Sequence, residues 1–149
     1  MRLDEANGMT ESMITIAPLE VEPGFPTFRA LFILELPHRS GRFRYEGTDI
    51  WLGTDAIDGF QQSLQQLAAG EAKECSLADL GNSVQLQVQQ QEEAFQLTIS
   101  ISEPNTGSGG GALNYHLPLS KKGLQNLIHR FVTFPRWWEA MSQDEVAGS

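Results

Sequence analysis

Cysteine is almost missing from this chain of 149 residues. Cys75 stands alone, so no disulfide can close within the chain and nothing asks for an oxidising compartment. Long apolar runs are missing too: the longest, Ala30 to Leu36, contains Glu35 and falls far short of the ~20 residues a membrane-spanning helix needs. Met1 to Thr10 lack the charged-then-apolar order of a secretory leader, and the expected location is the cytoplasm. Positive charge is scarce, with 10 Lys and Arg against 19 Asp and Glu, a formal charge of -9 and a pI near 4.7. Such a surface repels a phosphate backbone, which argues against nucleic acid as the partner.

Catalytic and metal-binding patterns are absent as well. The histidines His38, His116 and His129 fall in three separate elements, with no second ligand at metal-site spacing. Cys75 lies near Glu74 and Asp79, which oppose a thiolate, so it reads as a buried and inert thiol. No serine stands in a nucleophile-elbow context. Gly107 to Gly111 lies between two strands and lacks the Lys-Ser/Thr ending of a phosphate loop, so it reads as a flexible connection. Arg39, Arg42 and Arg44, interleaved with Phe43 and Tyr45, are the one compact basic cluster, and the charged outer row of a strand explains them. No catalytic residue, metal or cofactor is expected.

What is present is a clear alternation of periodicities. Ile57, Phe60, Leu64, Leu67 and Ala68 recur at helical spacing after Thr54, which reads as a cap, with Asp55 and Asp58 in the first turn and Gly70 as the stop. A second helix carries Leu124, Leu127, Ile128 and Phe131, begins at a Ser120 cap and is stopped by Pro135. Strands are expected at Met13–Val21, Thr27–Leu36, Arg42–Trp51, Glu71–Leu77, Val84–Val88, Phe95–Ile101 and Leu113–Leu119. Thr27–Leu36 is apolar on both sides and reads as a central strand covered on both faces, whereas Gln85, Gln87, Gln96, Thr98 and Ser100 leave their strands one wet side. The expected fold is α+β: a mainly antiparallel sheet of about six or seven strands with two amphipathic helices packed on one face. Residues 1–149 read as one domain, with 1–11 and 141–149 unstructured.

The acidity is uneven, and Glu71 to Gly111 alone carries -5. Glu71, Glu74, Glu92 and Glu93 are therefore candidates for contact with a basic protein partner. Trp137 and Trp138, beside Arg136, are either an exposed anchor for a partner or a cover for a sheet edge.

The succession Trp51–Phe60, Leu64–Leu67, Cys75–Leu77, the strands Val84–Val88 and Phe95–Ile101, then Leu113–Leu117 and the closing helix Leu124–Phe131, resembles the WapI-type immunity proteins. These are small bacterial cytoplasmic proteins thought to neutralise polymorphic toxins. The resemblance covers about Thr27 to Thr133, and departs from the family pattern at Leu119-Ser120-Lys121-Lys122. It implies a non-enzymatic surface that binds one protein. Two other readings stay open: a small-ligand domain or enzyme with a pocket between helix and sheet, resting on Trp51, Tyr115 and His116, and a homo-oligomer, in its simplest form a homodimer, joined by sheet edges or by Trp137 and Trp138.

Overall fold

Alternating side chains and two reversals shape the chain between Met13 and Gly53 into antiparallel strands. The computed structural model describes residues 2–3, 13–21, 26–38, 40–102 and 111–136. Within them β1 (Arg2–Leu3), β2 (Met13–Val21), β3 (Thr27–His38) and β4 (Gly41–Gly53) form one sheet in that order. Ile14, Ile16, Phe28, Ala30, Phe32, Leu34, Ile50 and Leu52 point to its buried side. Leu31 and Ile33, expected to be covered as fully as their neighbours, are only half-buried, because the helices and the second sheet occupy the opposite side of β3. The pairing slips between Pro18 and Glu20 and again between Ala30 and Phe32, each a bulge or irregularity in the ladder.

β4 runs directly into α1 (Thr54–Ala68). Thr54 does not cap this helix: Gly53 holds the cap position without a side-chain bond, and Thr54 is the first helical residue, buried, its N–H and hydroxyl donating to the Pro26 carbonyl at 2.9 and 3.3 Å. The threonine thus ties the helix start to the turn that precedes β3. Gly70, at φ +80°, ends the helix by letting Glu71 N–H reach back to the Gln66 carbonyl at 2.9 Å.

The second sheet follows, built from β5 (Glu74–Ala78), β6 (Val84–Gln91), β7 (Ala94–Ser102) and β8 (Ala112–Leu119), again in sequence order and antiparallel throughout. α2 (Lys121–Val132) closes the fold, capped as its sequence requires by Ser120 Oγ, which accepts from Gly123 N–H at 3.0 Å. The class is α+β with antiparallel pairing, as the periodicities lead one to expect; the strands are shared between two four-stranded sheets, divided at α1. The helices pack on each other, α1 also against β5 and β4, and α2 against β1, β7 and β8. One cluster of buried side chains runs through both sheets and both helices. Of residues 1–11 and 141–149, read from sequence as unstructured, Arg2 and Leu3 instead form β1 against β2, and the others lie outside the described residues. Among the described residues no helix is long and apolar enough to cross a membrane.

Candidate protein-interaction surface

Strand register decides where the four candidate glutamates meet. Glu74 opens β5 opposite Gln89 of β6, and β6 turns into β7 through Glu92 and Glu93, with Gln91 opposite Ala94. Glu71 lies in the turn that delivers the chain from α1 to β5, and Gln90 N–H donates to the Lys73 carbonyl at 2.8 Å, extending the β5–β6 pairing toward it. Glu71, Glu74, Glu92 and Glu93 thus share one end of the second sheet, and all four are exposed. Glu92 takes φ +51°, which places this turn in the left-handed region. The positive charge nearest in the chain is Lys73, also exposed. Glu74 keeps one partner, Gln89 Nε2, which donates to its Oε2 at 3.3 Å. Beside the acidic turn, Gln91, Glu92, Ala94, Phe95, Gln96 and Pro118 line an open depression with polar and apolar walls. α2 then begins past Leu119 with Lys121 and Lys122, so the acidic end of this sheet has a basic flank.

Trp137 and Trp138 lie outside the described residues, but Arg136 just before them is placed. Its Nε donates to Asp58 Oδ1 at 2.8 Å, a terminal nitrogen bonds Gln61 Oε1, and the other donates to the Val132 and Phe134 carbonyls, both at 3.0 Å. The guanidinium is largely enclosed and fastens the chain after α2 onto the first turns of α1. Asp58, read as a helix-start acid, serves as the anchor of this link.

The remaining candidates do not assemble. Arg44 is not a free phosphate-binding group: it pairs with Glu35 and, at 3.2 Å, with Glu46, and the Glu46 hydrogen bond leads the interactions that raise its pKa above the ordinary arginine value. Arg39 and residues 103–110 lie outside the described residues. His116 is exposed on the outer side of β8, bonded at 3.0 Å to Thr98, while His129 is exposed on α2. Among the described residues no three His, Cys, Asp or Glu side chains are grouped to hold a metal. Trp51 is half-buried on the outer side of the first sheet, its indole N–H donating to Asp49 at 3.1 Å. It and His116 face outward from different sheets and share no pocket. Between the sheets, Ile16, Phe32, Ile50, Leu77, Asp79 and Leu86 border a cavity of about 10 Å³, room for one water molecule.

Two features escaped the sequence reading. One is Asp79, a buried carboxylate at the β5–β6 turn, which entered the sequence reading as a neighbour of Cys75 and not as a buried group. The other is the outer side of the second sheet, where Ser76, Gln87, Thr98 and His116 lie in one row across the strands and Ala78, Gln85, Ser100 and Asn114 in the next. Neither row contains Asp, Glu, Lys or Arg. The alternation of each strand gave the wet side; only the register shows that the four wet sides coincide.

The model of the family described as immunity protein WapI-like matches residues 12–132, from β2 through α2. No curated protein and no solved structure matches the chain.

Proposed function

The chain belongs to the WapI-like immunity protein family, and from that membership we propose that it is a cytoplasmic, non-enzymatic module that binds and neutralises one cognate toxin. The family match carries the reading. The acidic end of the second sheet supports it physically: Glu71, Glu74, Glu92 and Glu93 gather exposed carboxylates at one sheet end in a chain of net charge -9. A basic toxin surface approaching that end gains association rate and partner discrimination from the complementary fields. The depression beside Glu92 offers an adjoining recess for a partner side chain, and Trp137 and Trp138 complete the set of contact residues in this reading. Nucleic acid and membrane have no part in it.

The test has two steps. The tagged protein is exposed to lysate of its source organism at low and at moderate salt, and whatever is retained is identified and co-expressed with the chain in a sensitive host. The expected outcome is one basic protein held in stoichiometric amount, released by salt, whose toxicity the chain abolishes. A toxin that kills equally well with the chain bound, or a column that holds no protein at either salt, would overturn the reading.

A further inference from the structure

The two sheets expose strand edges of very different character. β4 presents Arg42, Arg44, Glu46 and Asp49 along its length, is irregular opposite Leu31, and near its end has the Trp51 carbonyl occupied by Leu80 N–H at 2.8 Å. β2 beyond its short pairing with β1 carries Pro18, a register slip and Glu20. β5 is flanked by α1. Charges, bulges, proline and a covering helix are the devices that keep sheet edges from pairing with other chains. Among the described residues β8 has almost none of them, although α2 packs against part of it. Ala112 through Leu119 includes no Asp, Glu, Lys or Arg, its register with β7 is unbroken over the whole strand, and its outer side is exposed. Among the described residues only Pro118, which lacks an N–H, limits the edge, leaving Leu113 to Leu117 able to pair.

We propose that β8 is the pairing edge for a second copy of this chain, which joins the two four-stranded sheets into one antiparallel sheet about a two-fold axis at Tyr115. The choice of a second copy rests on charge and on self-complementarity. Two chains of net charge -9 repel wherever their acidic surfaces approach, and this uncharged strand is an edge along which like copies meet without opposing charges. Side-chain alternation permits only registers in which residues of the same face oppose each other. With the axis at Tyr115, Leu113 faces Leu117 of the second copy, Asn114 faces its His116, and Tyr115 faces its own equivalent. The outer row then gains an amide–imidazole hydrogen bond, and the inner row buries more of Leu113 and Tyr115, which are half-buried in the single chain and already packed against the core. Lys121 and Lys122, which follow β8, fall beyond the paired segment.

Sedimentation equilibrium of the purified full chain tests this. The expected result is a concentration-dependent rise from 16.5 kDa to twice that mass, with tighter association as salt screens the net repulsion. Asn114→Lys and His116→Lys place like charges next to each other across the axis and should weaken the dimer about tenfold or more, with the thermal midpoint of the monomer nearly unchanged because both side chains are exposed. Gln87→Lys puts the same charge in the middle of the same sheet face, away from the edge, and should leave the mass alone. A chain that stays monomeric at several hundred micromolar would overturn the proposal, as would a dimer indifferent to both β8 changes. So would a dimer weakened as much by Gln87→Lys, which points to stacking of sheet faces. Toxin binding weakens with salt where this pairing strengthens, so failure of one reading leaves the other intact.

Discussion

Asp79 and Cys75, four positions apart, show how the fold treats a polar group it encloses. Asp79 is 4% exposed, and its carboxylate accepts from Val84 N–H at 2.9 Å while its own N–H donates to the Val84 carbonyl at 3.2 Å and its carbonyl accepts from Asn82 N–H at 3.1 Å. The side chain thus closes the turn between β5 and β6. Asp79→Ala leaves the Val84 donor without its partner and should cost about 1–3 kcal/mol in urea unfolding, with Asp79→Asn, which keeps an acceptor, costing less. Cys75 has no such anchoring role. Burial pushes its thiol up from 9.0 to about 11, with the Glu74 carboxylate adding to the rise and the hydrogen bond involving the Val88 backbone opposing it. At pH 8 the native thiol should react with iodoacetamide at least about a hundredfold more slowly than a free cysteine, and unfolding in urea should restore the rate. The sign of the pH effect follows: the neutral thiol's contribution to stability is complete below pH 9 and is lost as pH climbs through about 11. Replacement by alanine should therefore flatten the alkaline limb of the stability profile.

The two helices are held as a pair. Phe60 of α1 and Phe131 of α2 meet edge to face with ring centroids 4.9 Å apart, both essentially unexposed, and Phe134 beyond α2 reaches Phe28 of β3 at 6.2 Å. Phe131→Ala opens a cavity at this joint and should cost about 3–5 kcal/mol, measured as a drop in urea midpoint. Ser120→Ala removes only the bond to Gly123 N–H and should cost about 1 kcal/mol. These helices were legible in the sequence because their stripes are local: Ile57, Phe60, Leu64 and Leu67, and Leu124, Leu127, Ile128 and Phe131, are all buried, while Ala68, read as part of the first stripe, lies exposed in the last turn of α1. The alternating strands from Val84 onward were legible for the same reason. What escaped depends on partners far along the chain. Thr54 reads as a cap until Pro26, 28 residues away, claims its hydroxyl. Asp58 reads as a helix-dipole acid until Arg136, 78 residues later, binds it. The division into two sheets is of the same kind, since period-two alternation says which side chains share a face and nothing about where one sheet stops. The candidate glutamates lie between these cases: their types and clustering in sequence were visible, and the β5–β6–β7 register supplied their common location.

Charge acts at the scale of the whole molecule, and here its distribution sets apart the surfaces assigned to the two proposed contacts. The acidic end of the second sheet, the uncharged rows on its outer side and the paired ions Arg29–Glu20 and Arg44–Glu35 on the first sheet form surfaces of distinct electrostatic character. A toxin steered by the acidic end should show that steering in its association rate, because exposed charges at the rim of an interface act on encounter more than on dissociation. Replacing Glu71, Glu74, Glu92 and Glu93 together by glutamine lowers the net charge from -9 to -5 while keeping each side chain nearly the same size. The expected outcome in stopped-flow binding to the retained toxin is an on-rate lower by about tenfold at low ionic strength and a flatter dependence on salt, with dissociation changed far less. Lys73→Glu removes the cation that interrupts this acidic group and should move the on-rate the other way. Each of these five positions is exposed, so the thermal midpoint should stay close to that of the parent and a loss of folding will not imitate the effect. If the glutamine variant bound as fast as the parent, with the same salt slope, the acidic end would be ruled out as the docking surface. The family assignment would stand, and the contact would have to lie on another face, with the half-buried Leu31, Ile33 and Trp51 on the outer side of the first sheet the next to substitute.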